Sequence, residues 1–75
     1  MIAHTVTIEY SQNGRLVEVM PWVRLDRPVV LEAWPWIVGQ ALAAARALVA
    51  GYGCGRAEII GLHGAGERSL LACVG

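Results

Sequence analysis

Lysine and phenylalanine are missing from this 75-residue chain, and charged side chains of any kind make up only 16% of it. Without lysine there is no phosphate loop of the GxxxxGK type, although glycines recur at Gly51-x-Gly53-x-Gly55 and at Gly61, Gly64 and Gly66. The first of these runs follows an expected helix where a dinucleotide motif would precede one, so helix termination and hairpin turning account for the glycines. All six cations are arginine and six acids balance them, so no net positive field draws the chain to nucleic acid or to an anionic membrane. The absence of lysine and phenylalanine beside abundant Ala, Val, Gly and Leu fits the compositional drift of a GC-rich genome.

Cysteine is nearly as scarce. Cys54 and Cys73 lie 19 positions apart with no CxxC and no matched histidine spacing, which points to reduced thiols and to neither a zinc site nor a redox pair. No cofactor is expected. The opening MIAHTVTIEY has no charged n-region before an apolar stretch, so a cytoplasmic location is the default expectation. The longest uncharged run lies between Glu32 and Arg46, short of the ~20 apolar residues a membrane-spanning helix needs.

What the chain has is apolar mass. Hydrophobic residues are 56% of the sequence, enough to fill a core and the reverse of a disordered composition. A chain of this length buries only about 60% of its unfolded surface, so residues 1–75 form one small domain.

From His4 to Tyr10, Val6, Ile8 and Tyr10 alternate with Thr5, Thr7 and Glu9, the period of a half-buried strand. Asn13-Gly14 then supplies the two residues that tolerate positive φ in a type I′ hairpin turn. The second strand runs from Arg15 to about Val23, with Val17 and Val19 expected beside Ile8 and Val6, and Pro21 marks an edge or a bulge. Leu25-Asp26-Arg27-Pro28 reads as a turn and Val29 to Ala33 as a short third strand.

A helix is expected from Trp34-Pro35 to Gly51 or Gly53. Ile37, Val38, Ala41, Leu42, Ala45, Leu48, Val49 and Tyr52 form its apolar stripe, and Gly39, Ala43, Ala47 and Ala50 its far side. Ala57 to His63 and Arg68 to Val74 flank Gly64-Ala65-Gly66 as a second hairpin, apolar on both faces and therefore central or part of an interface. Ile59, Leu71 and Cys73 fall on one side of it and Ile60, Leu62, Leu70 and Val74 on the other. The order β-β-β-α-β-β describes an α+β fold, an antiparallel sheet with one helix packed across one face.

In-register pairing around Asn13-Gly14 brings Glu9 and Glu18 to the outward face of the first hairpin. An odd-length loop adds Glu32, beside Met20, Trp22 and Val30. Acids mixed with exposed large apolar groups suit a protein-binding surface that docks on a basic partner, and Glu9, Glu18, Trp22 and Glu32 are its candidate residues. The plainer alternative is a solvated face whose acids are compensated by Arg15 and Arg24. Trp22, Trp34 and Trp36 are three of five aromatic residues, and core filling does not require all of them. For catalysis, His63 and Cys54 could imitate a Cys-His dyad, but no third group orients them, and the chain is expected not to be an enzyme.

Two resemblances rest on these residues. Thr5-Val6-Thr7-Ile8-Glu9-Tyr10, Gly14 and Val17-Glu18-Val19-Met20-Pro21 resemble the opening hairpin of HicB-type antitoxins, which bind a small toxin ribonuclease. The Pro-Gly turn and acidic helix start of that family are replaced here by Arg27-Pro28-Val-Val-Leu-Glu-Ala-Trp-Pro35. From Val29 onward, the short strand, the Ala-rich helix Gln40-Ala-Leu-Ala-Ala-Ala-Arg46, the glycine-containing break and the strand at Ile59-Ile60-Gly61 resemble small phage-encoded type I anti-CRISPR proteins in architecture.

That second likeness implies a non-enzymatic viral inhibitor in the host bacterial cytoplasm. Such a protein would bind a type I CRISPR effector complex (Cascade) and block target DNA binding or nuclease recruitment, so evading host defence. The alternative is a HicB-like antitoxin or a small dimeric regulatory module. On either reading the partner is a protein, with no direct nucleic acid and no membrane, and the chain is a monomer or a homodimer.

Overall fold

Asn13 and Gly14 both adopt positive φ, 52° and 76°, and turn the chain between β1 (Ile2–Gln12) and β2 (Arg15–Val30). The computed structural model describes residues 2–64 and 66–75. A 3-10 turn at Leu31–Ala33 leads into α1 (Pro35–Tyr52), and a second hairpin, β3 (Arg56–His63) and β4 (Glu67–Val74), closes the fold. The strands form one antiparallel sheet in the order β2-β1-β3-β4, so each hairpin contributes an edge strand and β1 pairs with β3 at the centre. The α+β class, the helix between two hairpins and its packing across the sheet are as the sequence leads one to expect.

The expected third strand is present as the end of β2: Val29 and Val30 pair with Ala3 and Ile2, while Leu31–Ala33 leaves the sheet. Leu25 to Pro28 do not reverse the chain. They fall between the pairs Thr5↔Arg24 and Ala3↔Val29, so four residues of β2 oppose His4 alone and loop out of the ladder.

Proline at the first helical position starts α1, and Gly53 ends it in the left-handed region at φ 81°, its N–H donating to the Val49 carbonyl at 2.9 Å. Ile37, Ala41 and Ala45 are the helix residues buried against Val6, Ile8 and Tyr10 of β1 and Ala57 and Ile59 of β3. Two alanines at the contact let the helix axis approach the sheet closely. Leu42, Leu48 and Val49 pack around them, and Gly39, Ala43, Ala47 and Ala50 face away, as their spacing implies.

Tyr10 ties the two layers together. Its side chain is fully buried, its hydroxyl donates to the Cys54 carbonyl and accepts from Gln12 Nε2 at 2.8 Å, and its ring stacks on Tyr52 at 4.3 Å. Gly55 is needed here, because at φ 99° a Cβ would run into the Tyr10 ring and hydroxyl.

Three single-residue irregularities in the ladders decide which side chains share a face. Ser11 opposes Leu16 but Tyr10 opposes Glu18, so Val17 is an extra residue in β2; Trp22 is another, between Thr7↔Pro21 and Val6↔Val23. Pro21 thus sits on an edge strand and beside a bulge at once. In the second hairpin the extra residue is Leu71, between Ile59↔Ala72 and Ile60↔Leu70. This brings Val74 to the helix side, where it packs on the core, and puts Cys73 on the side of Ile60 and Leu70, exchanging the two relative to strict alternation. The turn at Gly64-Ala65-Gly66 is described only at its two glycines, Ala65 lying outside the described residues; the Gly66 N–H donates to the Gly64 carbonyl at 3.1 Å.

Candidate functional site: the uncovered sheet face

A single helix covers a single face, and the pairing places four cross-strand rows on the other. Leu16, Ser11 and Arg56 form the first; Val19, Glu9, Glu58 and Cys73 the second; Pro21, Thr7, Ile60 and Leu70 the third; Arg24, Thr5, Leu62 and Arg68 the fourth. The first residue in each row comes from β2, so the apolar groups sit mainly on the two edge strands and on β3. Val19 is 48% exposed and Leu70 55%, at opposite edges, while Ile60 between them is buried. A large apolar residue on an uncovered face is ordinary when isolated; here Leu16, Val19 and Pro21 line one edge strand and Leu70 the other, with the buried Ile60 between them on β3.

Both acids on this face are paired with arginines of the same face. Arg68 Nη2 donates to both carboxylate oxygens of Glu9, at 2.7 and 2.8 Å, although β3 lies between their strands. To make that bond the Arg68 stem crosses β3, which explains why Ile60 is buried with no helix above it. The same carboxylate pushes the Arg68 pKa up, first by accepting the hydrogen bond and then by its charge. Arg56 and Glu58, two positions apart on β3, pair at 3.5 Å. Arg24, Arg56 and Arg68 stand against Glu9 and Glu58, so the face is not acidic.

The four expected partner-binding residues are therefore not brought together. Glu9 lies on the uncovered face, bound to Arg68. Glu18 is carried by the Val17 bulge to the opposite side, opposite Tyr10, where its Oε2 accepts from the Tyr52 hydroxyl at 3.2 Å. The Glu18 charge raises the Tyr52 pKa above its ordinary value, with desolvation and the hydrogen bond acting in the same direction. Trp22 is the half-buried bulge residue packed partly on the core. Glu32 is on the 3-10 turn, off the sheet, at a groove shared with Leu31, Pro35, Val38, Gly39 and Leu71. Val17 and Val19, expected in the core beside Ile8 and Val6, are instead about half exposed.

Trp34 and Trp36 are exposed at the start of α1, with ring centroids 5.2 Å apart. Cys54 and His63 stand beyond and at opposite ends of β3, about 23 Å of strand apart at ~3.3 Å per residue, so they form no dyad. Among the described residues no three His, Cys, Asp or Glu side chains could hold a metal ion, and no helix is long and apolar enough to cross a membrane. Leu16, Val19, Ile60 and Arg68 were not legible as one surface; the signal that existed was the two-sided apolar pattern of the second hairpin. Compared with protein-family models, curated proteins and solved structures, the chain gives no match.

Proposed function

We propose that this chain is a non-enzymatic inhibitor that binds a protein partner with its uncovered sheet face, the type I CRISPR effector complex being the partner its architectural resemblance implies. The observation that carries the reading is the exposed apolar groups Leu16, Val19 and Pro21 on β2 and Leu70 on β4, at the two edges of a face whose middle holds Thr7 and the buried Ile60. Interfaces of this kind have an apolar centre and a polar rim, and the internally paired Arg68–Glu9 and Arg56–Glu58 reduce the cost of covering charge. Because the face holds both signs of charge, the partner surface is mixed in charge and apolar at its centre.

Val19 and Leu70 are exposed, so V19D with L70D disturbs the surface while leaving the core intact. The test is binding of purified type I effector complex and loss of its target DNA binding or nuclease recruitment. Wild type should bind and inhibit, and the double variant should do neither while keeping its melting temperature. Equal inhibition by the two proteins, or none by wild type, overturns the reading.

A second reading is favoured by one feature. β4 is an edge strand bearing Leu70 and Cys73 at exposed positions, which fits a dimeric regulatory module of the antitoxin type joined through the second hairpin. Sedimentation as a dimer, abolished by L70D, supports this reading over the first.

A further inference from the structure

The loop that β2 throws out between Arg24 and Val29 opens a cavity of about 640 Å³ at the end of the sheet, against the point where β3 turns into β4. Arg24, Asp26 and Arg27 reach it from β2, His4 from β1 and His63 from β3, with Leu25 and Pro28 as apolar wall. A second cavity of about 360 Å³ shares His4 and Arg24 with the first and continues along Thr5, Thr7, Pro21 and Trp22. Two bulges of one edge strand therefore shape one cleft: the larger supplies the cations, and the smaller supplies the indole.

Three observations concern what the cleft would hold. Arg24 and Arg27 take part in no ion pair or side-chain hydrogen bond among the described residues, in contrast to Arg56 and Arg68. The imidazoles of His4 and His63 meet edge to face at 6.4 Å, and His63 Nδ1 is buried with no hydrogen-bond partner among the described residues. The acid at the site is Asp26, exposed and outnumbered by two guanidinium groups. With two cations against one carboxylate, and no metal-holding cluster among the described residues, the polar end of the cleft suits an anion.

We infer that this cleft binds a mononucleotide, its phosphate held by Arg24, Arg27 and His63 and its base against Trp22. Guanidinium groups bind phosphate with paired, charge-assisted hydrogen bonds, and an imidazole nitrogen carrying its proton donates to a further phosphate oxygen. The larger cavity exceeds what a phosphate fills, and the adjoining tryptophan offers the planar apolar surface on which a base stacks. Arg24 and His4, lining both cavities, sit where the sugar joins the two. The cleft shares Thr7 and Pro21 with the row that runs to Ile60 and Leu70, but its test uses small molecules alone and is independent of any protein partner.

The experiment is calorimetric titration with AMP, with adenosine and inorganic phosphate as single-part probes, on wild type and on R24Q/R27Q. Both arginines are exposed, so the double variant should keep the wild-type melting curve. AMP should bind saturably and more tightly than either part, and R24Q/R27Q should weaken it at least about tenfold. W22L should weaken AMP and leave inorganic phosphate unchanged. No saturable AMP binding, equal affinity in R24Q/R27Q, or phosphate binding as tightly as AMP would each overturn the assignment.

Discussion

The ring of Tyr10 lies on the ring of Tyr52 with centroids 4.3 Å apart and planes 18° from parallel, joining the central strand to the last turn of the helix. One partner is fully buried and the other nearly half exposed, so the stack closes the core at the end of the sheet where the helix exits. The Tyr10 hydroxyl adds a hydrogen bond to the Cys54 carbonyl just beyond the helix. Tyr10→Phe removes that bond while keeping the ring and should cost about 1–2 kcal/mol in urea unfolding. Tyr10→Ala also empties the core there and should cost about 3–5 kcal/mol.

Tyr52 should titrate above an ordinary phenol, chiefly because ionising it places a second negative charge beside Glu18. Folding therefore favours the protonated phenol. Its contribution to stability is complete below the pKa of an unfolded tyrosine and is lost as pH rises through the higher folded value. Spectrophotometric titration of wild type and E18Q checks this. The Tyr52 transition should move down toward the ordinary value in E18Q; an unmoved transition would separate the two side chains.

Gly53 and Gly55 both hold positive φ, 81° and 99°, yet their surroundings differ. A Cβ on Gly53 meets nothing within 4 Å, so Gly53→Ala carries only the backbone penalty, about 1 kcal/mol. A Cβ on Gly55 also meets the Tyr10 ring and the Ser11 carbonyl at 2.7 Å, so Gly55→Ala should cost well over twice as much, about 3 kcal/mol or more. Equal melting temperatures for the two variants would contradict the close approach.

Val17 is the unpaired residue of the first bulge, so deleting it keeps Tyr10 opposite Glu18 and Glu9 opposite Val19. The deletion should cost no more than about 1 kcal/mol and leave the Tyr52 titration unchanged. Deleting Val19 removes a paired position, and the ladder then closes by giving up the bulge, which brings Val17 opposite Tyr10 and Glu18 opposite Glu9, away from the Tyr52 hydroxyl. Spectrophotometric titration of the two deletion variants checks this: the Tyr52 transition should stay raised when Val17 is deleted and move down toward the ordinary value when Val19 is deleted.

This hairpin also shows how far the sequence could be read. Asn13-Gly14, Pro35 and the helix stripe are local signals, each with its own steric or hydrogen-bonding cause, and the elements follow them closely. Bulges have no comparable local signature here, since neither Val17 nor Leu71 is a residue type that demands one. Strict alternation therefore put Glu18 beside Glu9, and a single extra residue carried it through the sheet to Tyr52. Pro21 was the exception, a visible mark of irregularity one position from the bulged Trp22. The Arg68–Glu9 pair spans 59 positions and depends on the order β1-β3-β4, which no local pattern encodes.

The most direct test of the central claim is methyl NMR of the labelled protein with and without purified type I effector complex. Signals of Val19, Ile60, Leu62 and Leu70 should broaden or shift on addition, while those of Ala43, Ala47 and Ala50 on the outer helix surface stay sharp relative to them. Perturbation centred on the helix, or no perturbation at any ratio of complex to protein, would contradict a functional role for the uncovered sheet face.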